Sequence, residues 1–144
     1  EVAVCREVAQ RASAADIRNL RDALDANRRN IGNEAEFKRS DNSFHAALAE
    51  ATHNPLVSAV HDALATLLDD RRAQALQQPG EDAVAFQFHQ EIVAAIADRD
   101  PGAAEDAMRR HLDHHYGTFR TIKQKGPQPD RSGGPQQPNV EEGR

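Results

Sequence analysis

Apolar residues recur at steps of three and four along most of residues 1–125, the spacing that gives an α-helix one apolar face. These stretches are separated by residues that cap, open or break helices. The breaks fall at Ser13, at Gly32 and Asn33, at Asn54 and Pro55, at Pro79 and Gly80, and at Asp100 and Pro101. Strand formers such as Val, Ile, Thr and Tyr are sparse. The pattern predicts an all-α protein, an antiparallel bundle of about six helices joined by short connections.

The apolar pattern stops after residue 125. Residues 126–144 are rich in Pro, Gly, Gln and charged groups, and such a segment buries too little apolar surface to offset the entropy of ordering the chain. A chain of 144 residues is long enough for one hydrophobic core. We therefore expect one domain over residues 1–125 and a flexible tail over residues 126–144.

Charge and cysteine content narrow the class of protein. The net charge of -5 leaves no wide cationic face for phosphates, so nucleic acid is not expected as a direct partner of this segment. Cys5 is the single cysteine and cannot close an internal disulfide. No stretch resembles a signal peptide or is apolar for long enough to span a membrane. These features predict a cytoplasmic protein without a membrane partner.

Four polar residues occupy positions where helix periodicity requires core residues: Asp41, His45, His89 and His111. Asp41 and His45 are one turn apart on the third helix, which places their Cβ atoms roughly 5–6 Å apart. The two later histidines share the apolar faces of the fifth and sixth helices. A buried polar group without a partner costs several kcal/mol. The sequence therefore predicts that the four side chains bind one another or a shared ion.

Carboxylate and imidazole are donors that divalent metals favour, and zinc is the first expectation, with nickel, manganese or iron as alternatives. A plain structural bundle is also consistent with the pattern, because buried histidines commonly form hydrogen bonds within a core. A third alternative is a metal-dependent hydrolase on a helical bundle. His61 and Asp62 form the dipeptide of one such class, but no further ligand pattern accompanies them. Glu91, the nearest candidate base, should point away from the ligand face.

The run from Asp41 to His45, followed by Asn54, Pro55 and Leu56, resembles the Asp-x-x-Phe-His…Asn-Pro-Leu signature of the FadR-type C-terminal domain, the FCD domain, of GntR-superfamily transcription regulators. The stretch that begins at His89 and includes His111 resembles the second block of that family in order and spacing. The resemblance extends over about residues 1–122. It implies a non-enzymatic effector-sensing domain that forms a homodimer.

The family resemblance also implies a site. Its motifs correspond to Asp41, His45, His89 and His111, which would bind a divalent metal at the floor of a central cavity, with a small organic acid docked near the metal. Further candidate effector residues, which are less strongly indicated, are Arg71, Arg72, His61 and His115.

The sequence departs from the family pattern at its start. Members carry a winged helix-turn-helix domain before the bundle, whereas this chain starts at or just inside the first bundle helix. Glu1 aligns with the glutamate of the family's Arg-x-x-Leu-Glu stretch, so the arginine that often contacts the effector would precede residue 1. The resemblance thus implies an isolated sensor domain that reaches DNA only through a domain missing from this chain.

Overall fold

The computed structural model describes residues 1–125, which form six α-helices and no strand. The helices are α1 (Val2–Arg11), α2 (Ala14–Asn30), α3 (Glu34–Glu50), α4 (Pro55–Leu76), α5 (Glu81–Ala97) and α6 (Pro101–Lys125). The predicted all-α class and helix number are confirmed. None of these helices combines the length and the hydropathy needed to cross a bilayer. The predicted tail, residues 126–144, lies outside the described part of the chain.

Side-chain caps determine where the helices begin. Ser13 Oγ accepts a hydrogen bond from the Asp16 amide (3.1 Å), and Asp16 Oδ2 accepts one from the Ser13 amide (2.7 Å), which completes a capping box at α2. Asn33 caps α3 by accepting from the Glu36 amide. Only this half of a capping box forms at Asn33, since the Glu36 carboxylate pairs with Arg39 instead.

Two glycines allow the chain to turn between helices. Gly32 follows α2 with φ of 86°, and Gly80 precedes α5 with φ of 82°. A side chain at either position would be strained in this left-handed region, whereas glycine adopts it readily. The predicted ends of the second and fourth helices are therefore set by local backbone chemistry.

The main core lies between α1, α2, α3, α5 and α6. Helix α1 packs against α5 and α6, α2 against α3 and α5, and α5 against α6. The large buried apolar side chains of this core are Leu20, Phe44, Leu48, Ile92, Ile96 and Met108. This core surrounds the polar positions of α3, α5 and α6 and holds them away from solvent.

Helix α4 carries an apolar stripe that the core does not cover. Its apolar residues are largely exposed, at 70% for Leu56, 51% for Val60, 50% for Leu64 and 75% for Leu67. Only its end is buried in the bundle, at Ala75 and Leu76. The spacing of its apolar residues gives α4 one apolar face, and that face is left open because α4 packs mainly on α3.

Candidate metal centre and effector pocket

Three imidazoles from three helices meet inside the bundle. His45 comes from α3, His89 from α5 and His111 from α6, and each is at most 1% exposed. One nitrogen from each ring lies within 4.8 Å of the other two. His45 Nε2 and His111 Nε2 are 3.4 Å apart. The tertiary structure thus brings together three of the four residues predicted as metal ligands.

Asp41, the fourth predicted ligand, lies beside this trio. It is fully buried one turn before His45 on α3. Its Oδ1 is 3.6 Å from His89 Nε2, and its Oδ2 is 3.6 Å from Arg72 Nε. The carboxylate is therefore placed between one imidazole of the cluster and a cationic side chain of α4.

Several polar atoms of the cluster lack a hydrogen-bond partner among the described residues. They are both carboxylate oxygens of Asp41, Nδ1 of His45, Nε2 of His89 and Nδ1 of His111. A buried group left unsatisfied costs about 1–3 kcal/mol, and native proteins rarely leave several such groups together. Asp41 Oδ1 and His89 Nε2 are both electron-pair donors when the carboxylate is ionised and His89 is protonated on Nδ1. The donor set therefore fits a divalent cation.

The nitrogen spacing also fits a metal. An ion with tetrahedral geometry and metal–nitrogen bonds of about 2.0–2.1 Å holds two ligand nitrogens about 3.3–3.4 Å apart. The two Nε2 atoms of His45 and His111 are 3.4 Å apart. Without an ion, the two atoms form a hydrogen bond only if one of them carries the proton and donates it to the other. Such a bond would belong to a structural bundle, and a metal would replace it.

Burial disfavours the charged form of three histidines in this region, His89, His111 and His115. It lowers the pKa of His89 and of His111 well below the usual 6.5, and the neighbouring His45 lowers both further. Burial also lowers the pKa of His115, which stacks edge-on against His111. Neutral imidazole is the form that binds metal, so these rings are available as ligands near neutral pH.

The metal-free protein should lose stability as the pH falls below about 6.5. The folded-state pKa values of His89, His111 and His115 lie below 6.5, so the unfolded chain takes up protons that the folded chain does not. Their stabilisation is complete above pH 6.5 and declines between that pH and the lower folded-state values, by up to about 1.4 kcal/mol per pH unit for each histidine. Urea unfolding at pH 7.5 and 5.5 measures this loss, and His89→Gln should reduce it. Equal free energies of unfolding at both pH values would contradict the burial of neutral rings.

Two residues that were not predicted from the sequence, Asn27 and Ser40, lie on the Nδ1 side of His89. Asn27 Oδ1 lies 2.7 Å from His89 Nδ1, and Asn27 Nδ2 donates to Ser40 Oγ at 2.9 Å. Asn27 is fully buried. The sequence does mark Asn27 as an inward polar position, because it continues the stripe of Leu20 and Leu24 at the next helical step.

Glu1 is a further residue of the site that was not predicted. Its Oε1 is 3.3 Å from His45 Nδ1 and 3.6 Å from Arg72 Nη2. Burial acts to raise the pKa of Glu1, but the nearby His45 and Arg72 hold it below its usual range. Nothing in the periodicity marks the first residue of a helical stretch as part of a site, so only the packing of α1 shows this contact.

A pocket of about 500 Å³ lies against the cluster. His45 and His111 form part of its wall, and all four predicted effector residues line it: Arg71, Arg72, His61 and His115. The rest of the wall is mostly apolar, including Val57, Val60, Leu64, Leu68 and Leu112. The pocket wall comes from α1, α3, α4 and α6 and includes half-exposed residues of α4.

The four effector candidates differ in their surroundings. Arg72 is mostly buried, and its Nη1 donates to Asn42 Oδ1 at 3.0 Å. Arg71 lies at the exposed edge of the pocket wall. Neither ring nitrogen of His115, nor Nε2 of His61, has a hydrogen-bond partner among the described residues. The pocket therefore offers a buried cation and uncommitted imidazole nitrogens.

A family model of the FCD domain matches residues 1–114. This chain belongs to the FCD domain family. The resemblance drawn from the Asp41–His45 run is thereby confirmed, and the FCD match favours a regulator over the hydrolase alternative. Glu91 agrees with this, since it is exposed and pairs with Arg110 rather than facing the cluster.

The chain is also similar to part of several transcription repressors. It is 35% identical to the HTH-type transcriptional repressor NanR of Cronobacter sakazakii over 130 residues, which is 87% of this chain and 49% of that protein. The repressor of the same name from Klebsiella aerogenes is 36% identical over 124 residues, 85% of this chain and 48% of that protein. The Escherichia coli K12 repressor is 36% identical over 128 residues, with coverages of 86% and 48%. The chain therefore spans about half the length of the repressors it matches.

Proposed function

We propose that this FCD domain is the effector-sensing domain of a bacterial GntR-type transcription regulator. It binds a divalent metal through Asp41, His45, His89 and His111 and receives a small carboxylate metabolite in the adjoining pocket. The observation that carries the proposal is the meeting of three buried imidazoles and a buried carboxylate that has no hydrogen-bond partner among the described residues, beside a pocket that two of the imidazoles line.

Within this proposal, a metal bound at the cluster supplies positive charge that attracts an anionic effector and offsets the buried carboxylate of Asp41. Zinc suits the imidazole-rich donor set best, and nickel, manganese or iron would use the same groups. His45 and His111 are the two ligands that also line the pocket. They connect the metal centre to the effector, while Asp41 and His89 hold the metal from inside the bundle.

The pocket wall supports a particular shape of effector. Arg72, His61 and His115 offer charge and hydrogen bonds near the cluster. Most other wall residues are apolar, so contact with them favours an organic body over a bare carboxylate. We therefore propose an effector whose acid group lies at the histidine end and whose body contacts α4 and α6, with Arg71 at the outer edge.

Control of DNA binding follows from a shift in populations. An effector changes DNA affinity only if it binds two arrangements of the regulator with different affinity. We propose that the regulator is a homodimer in the cytoplasm, and that the effector favours one arrangement of its two FCD domains. DNA is then contacted by winged helix-turn-helix domains. The similar repressors are themselves named HTH-type.

Metal titration of the chelator-stripped protein tests the proposal. Zinc, nickel or manganese at about 1,000 times the dissociation constant should stabilise the wild type by about 4 kcal/mol, seen as a raised melting temperature. His111→Ala removes one ligand and should abolish most of this rise. His114→Ala is the matched control, because His114 is the half-exposed partner of Glu81 and is not part of the cluster.

Two results would contradict the proposed function. A wild type that gains no stability from any of these metals would exclude the metal centre. Turnover of phosphate or ester substrates that disappears in Asp41→Ala would instead favour a hydrolase. Once the metal is established, carboxylates are titrated into loaded and stripped protein, and effector binding should require the metal.

A further inference from the structure

A line of buried hydrogen bonds leads from the backbone of α3 to His89. Ser40 Oγ donates to the Phe37 carbonyl at 2.9 Å, and Asn27 Nδ2 donates to Ser40 Oγ at 2.9 Å. Asn27 Oδ1 then faces His89 Nδ1 at 2.7 Å. Asn27 and His89 are fully buried, and Ser40 is 6% exposed. The line therefore joins α3, α2 and α5 away from solvent.

The first group in this line, the Phe37 carbonyl, determines which group donates and which accepts in every following hydrogen bond. A backbone carbonyl only accepts, so the Ser40 hydroxyl proton is used on Phe37. Ser40 Oγ must then accept from its other neighbour, which requires the NH₂ group of Asn27 to face it. The amide oxygen of Asn27 consequently faces His89, and Nδ1 of His89 must carry the proton. In a neutral imidazole this leaves the lone pair on Nε2.

We propose that Asn27 is a positioning residue that fixes His89 in the tautomer suited to bind metal. This inference rests on the proposed metal site and deepens it. His89 Nε2 lies on the side of Asp41 Oδ1, 3.6 Å away, and has no hydrogen-bond partner among the described residues. The hydrogen bond from His89 Nδ1 to Asn27 thus leaves the Nε2 lone pair of His89 facing the cluster in the metal-free protein.

Packing fixes the plane of the same ring. Phe44 stacks on His89 with ring centroids 4.0 Å apart and an angle of 18° between the planes. The stack restrains the tilt of the ring, and the Asn27 bond restrains rotation within its plane. His45 and His111 have no such neutral partner, since His45 Nδ1 faces the Glu1 carboxylate at 3.3 Å and His111 Nδ1 is unpartnered among the described residues. His89 is therefore the most firmly preorganised of the three imidazoles.

Three variants test the role of Asn27. Asn27→Leu keeps the approximate size and removes the acceptor, whereas Asn27→Asp keeps an acceptor toward His89. Asn30→Leu is the matched control on the same helix, because Asn30 Nδ2 donates to the Glu36 carbonyl at 3.4 Å, outside the cluster. Zinc affinity is measured by competition with a chelator at pH 7.5, and the His89 tautomer is read from imidazole ¹⁵N shifts of the metal-free protein.

Wild type and Asn27→Asp should show His89 protonated on Nδ1. Asn27→Leu should show a mixture of tautomers and a 10–100-fold loss of zinc affinity, the usual effect of removing a group that orients a metal ligand. Asn30→Leu should match wild type in both measurements. If Asn27→Leu does not fold, Ser40→Ala removes the group that orients the Asn27 amide, and a smaller loss of zinc affinity with the same tautomer mixture is expected.

The failures are distinguishable. A metal-free wild type with His89 protonated on Nε2 overturns the positioning role whether or not the protein binds metal. A wild type that binds zinc, together with an Asn27→Leu variant of lower melting temperature but equal affinity and unchanged tautomer, shows that Asn27 is merely structural. A wild type with the expected tautomer that binds no metal overturns the proposed metal function, and with it the purpose assigned to Asn27.

Discussion

Phe44→Ala should destabilise the metal-free domain by about 3–5 kcal/mol, the usual cost of truncating a fully buried aromatic side chain. Phe44 is 0% exposed in the main core. It stacks on His89 and contacts the edge of His45, with ring centroids 5.6 Å apart. The substitution therefore opens a cavity beside two of the proposed metal ligands, His45 and His89. Urea unfolding monitored by far-UV circular dichroism measures the change.

Leu67→Ala on α4 is the control for Phe44→Ala. Leu67 is 75% exposed, and truncating a side chain away from packing usually changes stability by less than about 0.5 kcal/mol. A Phe44→Ala change below about 1 kcal/mol would show that the core under the cluster is loosely packed. A large effect of Leu67→Ala would instead show that something covers the apolar face of α4 in solution.

Asp41→Asn should weaken metal binding by more than about 100-fold, since removal of a charged ligand costs more than the 10–100-fold typical of groups that only orient ligands. The same substitution should leave the metal-free protein as stable as wild type or more stable. Asp41 is fully buried and neither carboxylate oxygen has a hydrogen-bond partner among the described residues, so its ionised form carries a desolvation cost. A residue that is retained for binding although it lowers stability is typical of functional sites.

Chelator competition and urea unfolding measure the two effects of Asp41→Asn. Asp113→Asn is the control, because it removes the same charge from an exposed position two residues from His111. Metal affinity within threefold of wild type would remove Asp41 from the ligand set. A loss of more than about 2 kcal/mol from the metal-free protein would show that its contact with Arg72 is structural, and would support the plain structural bundle.

Much of the fold followed from local chemistry. Ser13 and Asn33 cap helices through atoms within three residues of themselves, and the glycine turn at Gly32 depends on its own backbone angles. Such features are encoded by neighbours in sequence, so a single chain suffices to predict them. The apolar stripe of α3 also predicted the burial of Asp41 and His45, because helix periodicity fixes which side chains share a face.

Other features depended on how the helices pack. Periodicity gives α4 an apolar face, but it does not show what covers that face, and Leu56 and Leu67 are mostly exposed. Asn27 was visible as a polar residue on the α2 stripe, but its bond to His89 crosses 62 positions of sequence. Glu1 became part of the site only because the packed bundle brings it to His45 and Arg72.

The sequence by itself determined the helices, the inward polar positions and the family, because each is recorded in the spacing of residues along one chain. Only the tertiary structure decided which nitrogens face one another, that Asp41 lies between His89 and Arg72, and that the pocket lies on the α4 side. The physical reason is that a hydrogen bond or a ligand contact depends on distances of a few ångströms between separate helices. Helix periodicity fixes direction about one axis and leaves the packing between axes open.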